Sequence, residues 1–307
     1  MISQKLFGAL IALLVISYIV VADTPKEAPS SSQILETKKI KVNDVEIAYY
    51  LRGTGKPLLM FNGFKGTVAT WDPALLERLE KKYQLILFDR RGIGQSTDAK
   101  NTPFTIKQMA DDGAALIKAL GFTKVNALGW SMGARVGQQF GLRHSDILEK
   151  LILCSPHPGE KYRVTASWKV AQSVHSPTIS LEQMLDMQFP QTTLGKTSEL
   201  AYKTRIYQAI SDGKAPRDLE IAPEYLKREQ EALELWNKSD DNYESLSKIR
   251  VPTLLCGGKE DVIDPPENVR LLANRIPFAW TAYFEGGHAF LFQDYDRFAD
   301  LVMLFLE

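Results

Sequence analysis

Three polar side chains that lie far apart in the sequence have the types needed for nucleophilic catalysis. The first is Ser131, in the segment GWSMGA (129–134), between an apolar run and a stretch with helical periodicity. A serine at a tight strand-to-helix turn, flanked by glycines, is typical of a nucleophile held at the end of a sheet. The alternative is a small residue in an ordinary tight loop. A nucleophilic serine also needs a base, a carboxylate that orients the base, and backbone donors for the oxyanion.

His288 is the best candidate for the base among the four histidines. It follows the strand-like segment WTAYF and the Gly286-Gly287 pair, which would deliver it to the carboxyl edge of a sheet. His157 is the main rival because it also follows a strand, but prolines flank it. His144 ends the helix after Ser131 and is interpreted as a partner of that helix's C-terminal dipole. No strand delivers His175.

Two aspartates compete for the orienting carboxylate. Asp261 comes directly after a strand and its glycine turn, in LLCGGKEDVID, and is expected at the same sheet edge as Ser131 and His288. Asp264 precedes Pro265-Pro266 and a helical run, so we interpret it as the cap of that helix. The sequence therefore favours Asp261 over Asp264.

The oxyanion would need two backbone N–H groups. One commonly comes from the residue after the nucleophile, here Met132, and the other from the loop after an early strand. That loop is FNGFKGT, where Gly63 allows a turn back towards the serine, so Phe64 is the second predicted donor. An ordinary glycine turn is the alternative.

The elements around these residues predict a mostly parallel, doubly wound α/β sheet. A hairpin is expected around Asn43-Asp44, where apolar and polar residues alternate. Helices are expected over 73–82, 105–121 and 266–275, each with a proline start or a glycine stop. Short apolar runs predict strands buried on both faces at 58–61, 85–88, 125–128, 151–153, 251–255 and 279–284.

The stretch 157–248 is helix-like and contains no convincing buried strand, which predicts an inserted helical cap between core segments 36–156 and 249–307. The cap's large apolar residues are interpreted mainly as its own core rather than as a ligand site. They are Met184, Met187, Phe189, Tyr202, Tyr207, Tyr225 and Trp236.

Residues 1–22 combine Lys5, a long uncharged apolar stretch and small residues at the end, as a secretory signal does. An uncleaved membrane anchor is the alternative, because the apolar run approaches the length that spans a bilayer. The polar, Pro- and Ser-rich segment 23–35 is expected to be a linker. We therefore expect an exported protein, or one anchored through residues 1–22.

The composition excludes some partners and cofactors. Lys+Arg and Asp+Glu both number 37, so neither nucleic acid nor an anionic membrane surface is expected as a partner. No cluster of ligating side chains suggests a metal, and RGIGQS lacks the lysine of a phosphate loop, so no cofactor is predicted. Cys154 and Cys256 end two strand-like runs and are interpreted as buried thiols, with a disulfide as the alternative if the chain is exported.

The order Ser131, Asp261, His288, together with the segment FDRRGIGQS (88–96), resembles the α/β-hydrolase fold superfamily from about Glu36 to Glu307. The resemblance implies that these three residues are nucleophile, orienting acid and base, and that Phe64 and Met132 supply the oxyanion hole. It also implies that the Asp-x-Arg-Gly loop is structural. One departure is Asn62-Gly63, where members commonly carry His-Gly, so the hydrogen bonds of this loop must be rebuilt around an amide.

A serine nucleophile, rather than the aspartate of dehalogenase and epoxide-hydrolase members, predicts acyl transfer to water. The expected substrate is a small carboxylic ester. The same three residues are also compatible with amide hydrolysis, carbon–carbon bond cleavage or peracid chemistry. A non-catalytic ligand-binding protein on this scaffold is the alternative from another class.

Overall fold

The computed structural model describes residues 35–99, 102–159, 161–174, 176, 179–219, 221–239 and 241–307. Within these ranges the core is one eight-stranded sheet with the strand order β1-β2-β4-β3-β5-β6-β7-β8. The first two strands run antiparallel to their neighbours and the others are parallel. The strands are β1 (Lys38–Val42), β2 (Val45–Arg52), β3 (Lys56–Phe61), β4 (Tyr83–Phe88), β5 (Val125–Trp130), β6 (Leu148–Cys154), β7 (Thr253–Gly258) and β8 (Ala279–Phe284).

Helices alternate with the strands from β3 onward, and two short 3₁₀ helices cover Val68–Thr70 and Leu246–Lys248. The α-helices are α1 (Pro73–Leu79), α2 (Ile106–Ala119), α3 (Met132–Arg143), α4 (Trp168–Val174), α5 (Leu181–Gln188), α6 (Thr193–Ser211), α7 (Pro223–Asn237), α8 (Asp241–Ser245), α9 (Glu267–Ala273), α10 (Phe290–Gln293) and α11 (Tyr295–Leu306). The predicted doubly wound, mostly parallel α/β sheet is confirmed.

The burial of strand β8 differs from the prediction. Its segment 279–284 was expected to be buried on both faces, but β8 is the last strand of the sheet, and Trp280 is 58% exposed. Ala279 packs against the core on one face of the sheet and Phe284 against the core on the other, whereas the exposed Trp280 ring meets Phe305 at 5.6 Å between centroids. An apolar run therefore predicted the strand but not its position at the edge.

The carboxyl ends of β5, β6 and β7 lie side by side, which gathers the loops that follow them. Trp130 pairs with Cys154, and Cys154 pairs with Cys256, in the parallel register. Both cysteines are buried free thiols, as the first interpretation predicted, and they do not form the disulfide that was the alternative. Burial, reinforced by the neighbouring Cys256, raises the pKa of the Cys154 thiol.

Helices α4 to α8 all fall between β6 and β7, in the stretch predicted as a cap. Polar contacts join α6 to the loop before α1: the Tyr202 hydroxyl donates to the Thr70 carbonyl at 2.8 Å, and Arg205 Nε donates to Asp72 at 2.9 Å. The division at 157 and 248 stays a prediction.

The predicted signal or anchor, residues 1–22, lies outside the described residues, as does the linker except for Leu35. In the part of the chain that the structure describes, no helix combines the length and the apolar character needed to cross a bilayer.

Candidate active site

Ser131 occupies a strained turn between β5 and α3. Its backbone has φ 57° and ψ −120°, in the left-handed range that non-glycine residues rarely adopt. The turn is held in place by the neighbouring strand, because the Ser131 amide donates to the Cys154 carbonyl at 2.9 Å. Ser131 is 9% exposed, so the residue is largely buried but still in contact with solvent.

Two glycines make this turn possible because they let backbone segments approach closely. A Cβ at Gly133 would lie 2.0 Å from the Phe61 carbonyl oxygen, and a Cβ at Gly129 would lie 2.2 Å from the Gly133 carbonyl oxygen. Neither position can hold a side chain without moving backbone. The glycine-x-serine-x-glycine pattern is thus a steric requirement of the turn.

His288 lies in the loop between β8 and α10 and meets Asp261 from the loop after β7. Its Nδ1 is 2.8 Å from Asp261 Oδ2, and both side chains are buried. The indole of Trp130 fixes the backbone of the same loop, because its Nε1 donates to the His288 carbonyl at 2.9 Å. The imidazole is therefore held by its Nδ1, which leaves Nε2 as the nitrogen able to act as a base.

Asp261 is fully hydrogen-bonded. Its Oδ1 accepts from the amides of Ile263 and Asp264, both at 2.9 Å, and its Oδ2 accepts from the Ser155 hydroxyl at 2.8 Å in addition to the histidine contact. A carboxylate with this many donors is fixed in orientation.

Asp264 has another role than the one predicted. Helix α9 begins after Pro266, and no side chain caps it. Asp264 instead accepts a hydrogen bond from Arg135 NH2 at 3.2 Å. The interpretation of Asp264 as a helix cap is wrong, because Pro266 stands at the start of α9 and the Asp264 carboxylate binds the buried Arg135 instead.

The surroundings of His288 raise its pKa above the usual 6.5. Burial of the ring by itself would lower the pKa, and the Arg135 charge acts in the same direction. The charge of Asp261, its hydrogen bond to the ring and the charge of Asp264 favour the protonated form, and these effects prevail.

This shift predicts the pH dependence of any reaction in which His288 acts as the base. The neutral ring is the active form, so kcat/KM should fall about tenfold per pH unit on the acid side of the histidine pKa. We expect the midpoint of that acid limb to lie above 6.5. Initial rates with a neutral p-nitrophenyl ester between pH 5 and 9, after subtraction of spontaneous hydrolysis, measure it. A midpoint clearly below 6.5 would contradict this assignment of the charges around His288.

The loop after β3 brings the predicted Phe64 amide towards Ser131. A Cβ at Gly63 would lie 3.4 Å from the Ser131 Cβ, so loop and serine are adjacent. Met132 is the first residue of α3, where a helix leaves its N–H groups without intrahelical acceptors. Phe64 and Met132 therefore lie close to the serine, and their role as oxyanion donors stays a prediction.

Asn62 organises this loop from within, in place of the more common histidine. Its Oδ1 accepts from the Gly63 amide at 2.7 Å, and its Nδ2 donates to the Thr67 carbonyl at 2.6 Å and to Thr70 Oγ1 at 2.9 Å. Both N–H donors of the amide and its oxygen are used to close the loop.

Two residues that the sequence did not single out clamp the same loop from outside. Arg90 donates to the carbonyls of Asn62, Gly63 and Gly66 at 3.2, 3.1 and 3.3 Å, and its Nε donates to Glu229 Oε1 at 3.0 Å. Both partners of this ion pair are buried, and Glu229 belongs to α7.

The same glutamate reaches the loop directly. Glu229 Oε2 accepts from the amide of Lys65, whose φ of 61° is unusual for a non-glycine residue. Helix α7 is thus coupled directly to the peptide that follows Phe64 and, through Arg90 and the Gly63 carbonyl, to the peptide that carries the Phe64 amide.

Replacement of Glu229 by glutamine should therefore disturb both stability and turnover. The neutral amide leaves Arg90 without a charge partner and turns an N–H donor towards either Arg90 or the Lys65 amide. Breaking a buried ion pair costs about 3 kcal/mol or more of unfolding free energy. We also expect kcat to fall about 10- to 100-fold, with a smaller change in KM, because an oxyanion donor is displaced.

Denaturant unfolding and steady-state kinetics measure the two effects, and Glu231→Gln on the exposed side of the same helix is the matched control. A folded Glu229→Gln variant with wild-type kcat would show that the clamp does not position the loop.

Two cavities meet at this site. The one named here the serine cavity is lined by Ser131, His288, Arg135, Arg163 and Asp264. The one named the apolar cavity is lined largely by Trp130, Leu185, Tyr202 and Ile206. Phe64 and Met184 line both cavities.

Some of the cap's apolar residues, which were interpreted as the cap's own core, also line these cavities. Met184 and Tyr202 are buried, as expected of core residues, but they also line the space beside the serine. Tyr207 is 59% exposed and lines the apolar cavity, so it is not part of a cap core.

The remaining histidines lie elsewhere or have other partners. His144 Nε2 contacts Asp111 at 2.8 Å on the far end of α3. His157 is buried, its Nδ1 accepts from the Gly159 amide at 3.2 Å, and its Nε2 is 3.8 Å from Asp264. His175 lies outside the described residues.

The side chains of the Asp-x-Arg-Gly loop bind other groups of the protein, as expected for a loop with a structural role. Asp89 accepts from the amides of Val68 at 2.9 Å and Gln95 at 3.1 Å, and burial raises its pKa to about 6. Arg91 is fully buried and pairs with Asp112 at 2.6 Å.

The chain belongs to the alpha/beta hydrolase fold family, whose model matches residues 56–295. It is 28% identical to a poly(3-hydroxyalkanoate) depolymerase of Ectopseudomonas oleovorans over 258 residues, which cover 82% of this chain and 84% of the relative.

Solved structures agree with this assignment. An alpha/beta hydrolase fold protein from Chitinophaga pinensis superposes with a TM-score of 0.79 at 26% identity, covering 89% of this chain and 98% of the other. The enol-lactonase from Burkholderia xenovorans LB400 shares the fold with a TM-score of 0.70 at 23% identity, covering 88% and 99%. The fold and family support hydrolase activity on a small molecule.

Proposed function

We propose that this protein is a serine hydrolase that cleaves a small carboxylic ester through an acyl-enzyme intermediate. The observation that carries the proposal is the strained Ser131 turn, which opens into the same cavity as an imidazole held by a buried carboxylate. Nucleophile, base and orienting acid are the three parts that this reaction requires.

In the proposed first step, His288 Nε2 removes the hydroxyl proton of Ser131 while the serine Oγ attacks the ester carbonyl. The tetrahedral oxyanion is stabilised by the amides of Phe64 and Met132, and Asp261 stabilises the imidazolium. Collapse of this intermediate expels the alcohol, which takes the proton from His288. Water then attacks the acyl-enzyme while His288 takes a proton from it. The bond between the acyl carbon and the serine oxygen breaks, His288 returns the proton to that oxygen, and the acid is released.

The decisive experiment combines fluorophosphonate labelling with a panel of p-nitrophenyl esters of increasing acyl length. Labelling should add mass to the peptide containing Ser131, and pre-incubation with the label should abolish turnover. A stable adduct on another residue, or turnover that survives full labelling, would remove the assignment.

The same panel tests the alternatives. Labelling of Ser131 without turnover of any ester, but with turnover of an amide or a carbon–carbon substrate, would move the activity to that bond. A folded protein that is neither labelled nor active across the panel would favour a ligand-binding role.

A further inference from the structure

We propose that the serine cavity binds a carboxylate group carried by the substrate, through the guanidinium groups of Arg135 and Arg163. This inference rests on the proposed hydrolase function and specifies its substrate class: esters with a short, anionic substituent.

Arg135 lies in the first turn of α3, which begins directly after the nucleophile. Ser131 and Arg135 line the same cavity. The arginine is only 6% exposed, yet its hydrogen bond to Asp264 is a single contact at 3.2 Å, and its buried Nε has no partner. A buried guanidinium that lacks a full set of acceptors is costly unless a ligand completes it.

Arg163 reaches the same cavity from the segment that follows β6. Its NH1 makes two long contacts, 3.5 Å from His157 Nε2 and 3.4 Å from Asn237 Oδ1, and its Nε is also buried without a partner. Among the residues that the structure describes, no carboxylate forms an ion pair with Arg163.

Two guanidinium groups line the cavity together with one carboxylate, Asp264. A second carboxylate, Asp261, is hydrogen-bonded to His288 at the same site. Burial lowers the pKa of Arg135, the Asp264 charge opposes this, and the nearby Arg163 charge adds to it. A ligand carboxylate in the cavity would add a negative charge beside the two guanidinium groups and accept hydrogen bonds from those of their N–H groups that face the cavity.

Arg135 lies in the first turn of α3, directly after the serine, and both side chains line the same cavity. A substrate whose carboxylate is separated from the scissile ester by a few carbons suits this arrangement, as in a half-ester of a short dicarboxylic acid.

Two matched pairs of esters test the proposal. Mono-p-nitrophenyl glutarate carries a carboxylate at the end of its acyl chain, where p-nitrophenyl valerate carries a methyl group. On the alcohol side, 4-acetoxybenzoate and 4-methylphenyl acetate differ in the same way. We expect the wild-type protein to prefer the anionic member of at least one pair in kcat/KM, at a pH on the plateau of activity.

The preference should depend on the arginines. Arg135→Gln and Arg163→Gln should each lower the anionic-to-neutral ratio by about tenfold or more, as expected for a lost charged hydrogen bond. Arg163→Lys should retain part of it because the charge remains. The matched control is Arg297→Gln, a change at an exposed position of α11.

Loss of Arg135 leaves Asp264 buried without its partner, so thermal melting must accompany each variant. If Arg135→Gln does not fold, the half-buried Arg163 variants decide the question. The inference is overturned if neutral esters are hydrolysed with no preference for either anion, or if the ratio is the same in Arg163→Gln as in the wild type. If no ester of either charge is hydrolysed and Ser131 is not labelled, the proposed function itself fails.

Discussion

Replacement of Ser131 by alanine is expected to lower kcat/KM for p-nitrophenyl butyrate by about 10⁴- to 10⁶-fold. The hydroxyl is the atom that forms the acyl bond, and the serine cavity offers no other hydroxyl on its described wall. Binding and the oxyanion donors stay in place, so the residual rate should exceed that of the uncatalysed reaction. KM should change much less than kcat.

Steady-state kinetics with freshly purified variants measure this effect, together with fluorophosphonate labelling as an independent readout. Ser145→Ala is the matched control, because Ser145 is an exposed residue just beyond α3. An alanine variant at position 131 that keeps activity within tenfold of the wild type would exclude Ser131 as the nucleophile.

Replacement of Asp261 by asparagine should lower kcat by about 10³- to 10⁴-fold while the fold is retained. Two backbone amides, the Ser155 hydroxyl and His288 all donate to the carboxylate. An asparagine must direct its Nδ2 donor at one of these donors. If it faces His288 Nδ1, the ring adopts the tautomer with the proton on Nε2, which cannot accept the serine proton.

The pH profile separates this role from a merely structural one. The Asp261 charge raises the pKa of His288, so its removal should move the acid limb of the remaining activity to lower pH. Asp264→Asn should reduce kcat less, because Asp264 binds Arg135 rather than His288 Nδ1. The control is Asp296→Asn, which removes a carboxylate at an exposed position and should leave kcat unchanged. A larger loss in Asp264→Asn than in Asp261→Asn would reverse the assignment.

The parts of the site that the sequence predicts depend on local pattern and on the rules of parallel sheets. The Ser131 turn follows from two glycines between a strand and a helix. Asp261 and His288 follow from the ends of two strands, because parallel strands deliver their loops to one edge. Their 2.8 Å contact is the geometry that this argument predicts, whereas their catalytic roles stay a prediction.

Other features depend on contacts between distant segments, for which no local pattern exists. Arg90 and Glu229 are separated by 139 residues, and their pairing follows only once α7 is placed over the loop after β3. The exposure of β8 depends on its place in the strand order. Arg135 could have been found from sequence, because it falls in the first turn of the helix predicted directly after Ser131.

The backbone of Ser131 has a consequence for how this protein can change over generations. A left-handed conformation suits glycine and costs serine of order 1 kcal/mol or more, so the native state is less stable than it would be with glycine at position 131. Selection for thermal robustness alone would favour that exchange, whereas selection for turnover would oppose it. The two pressures act against each other at a single peptide unit.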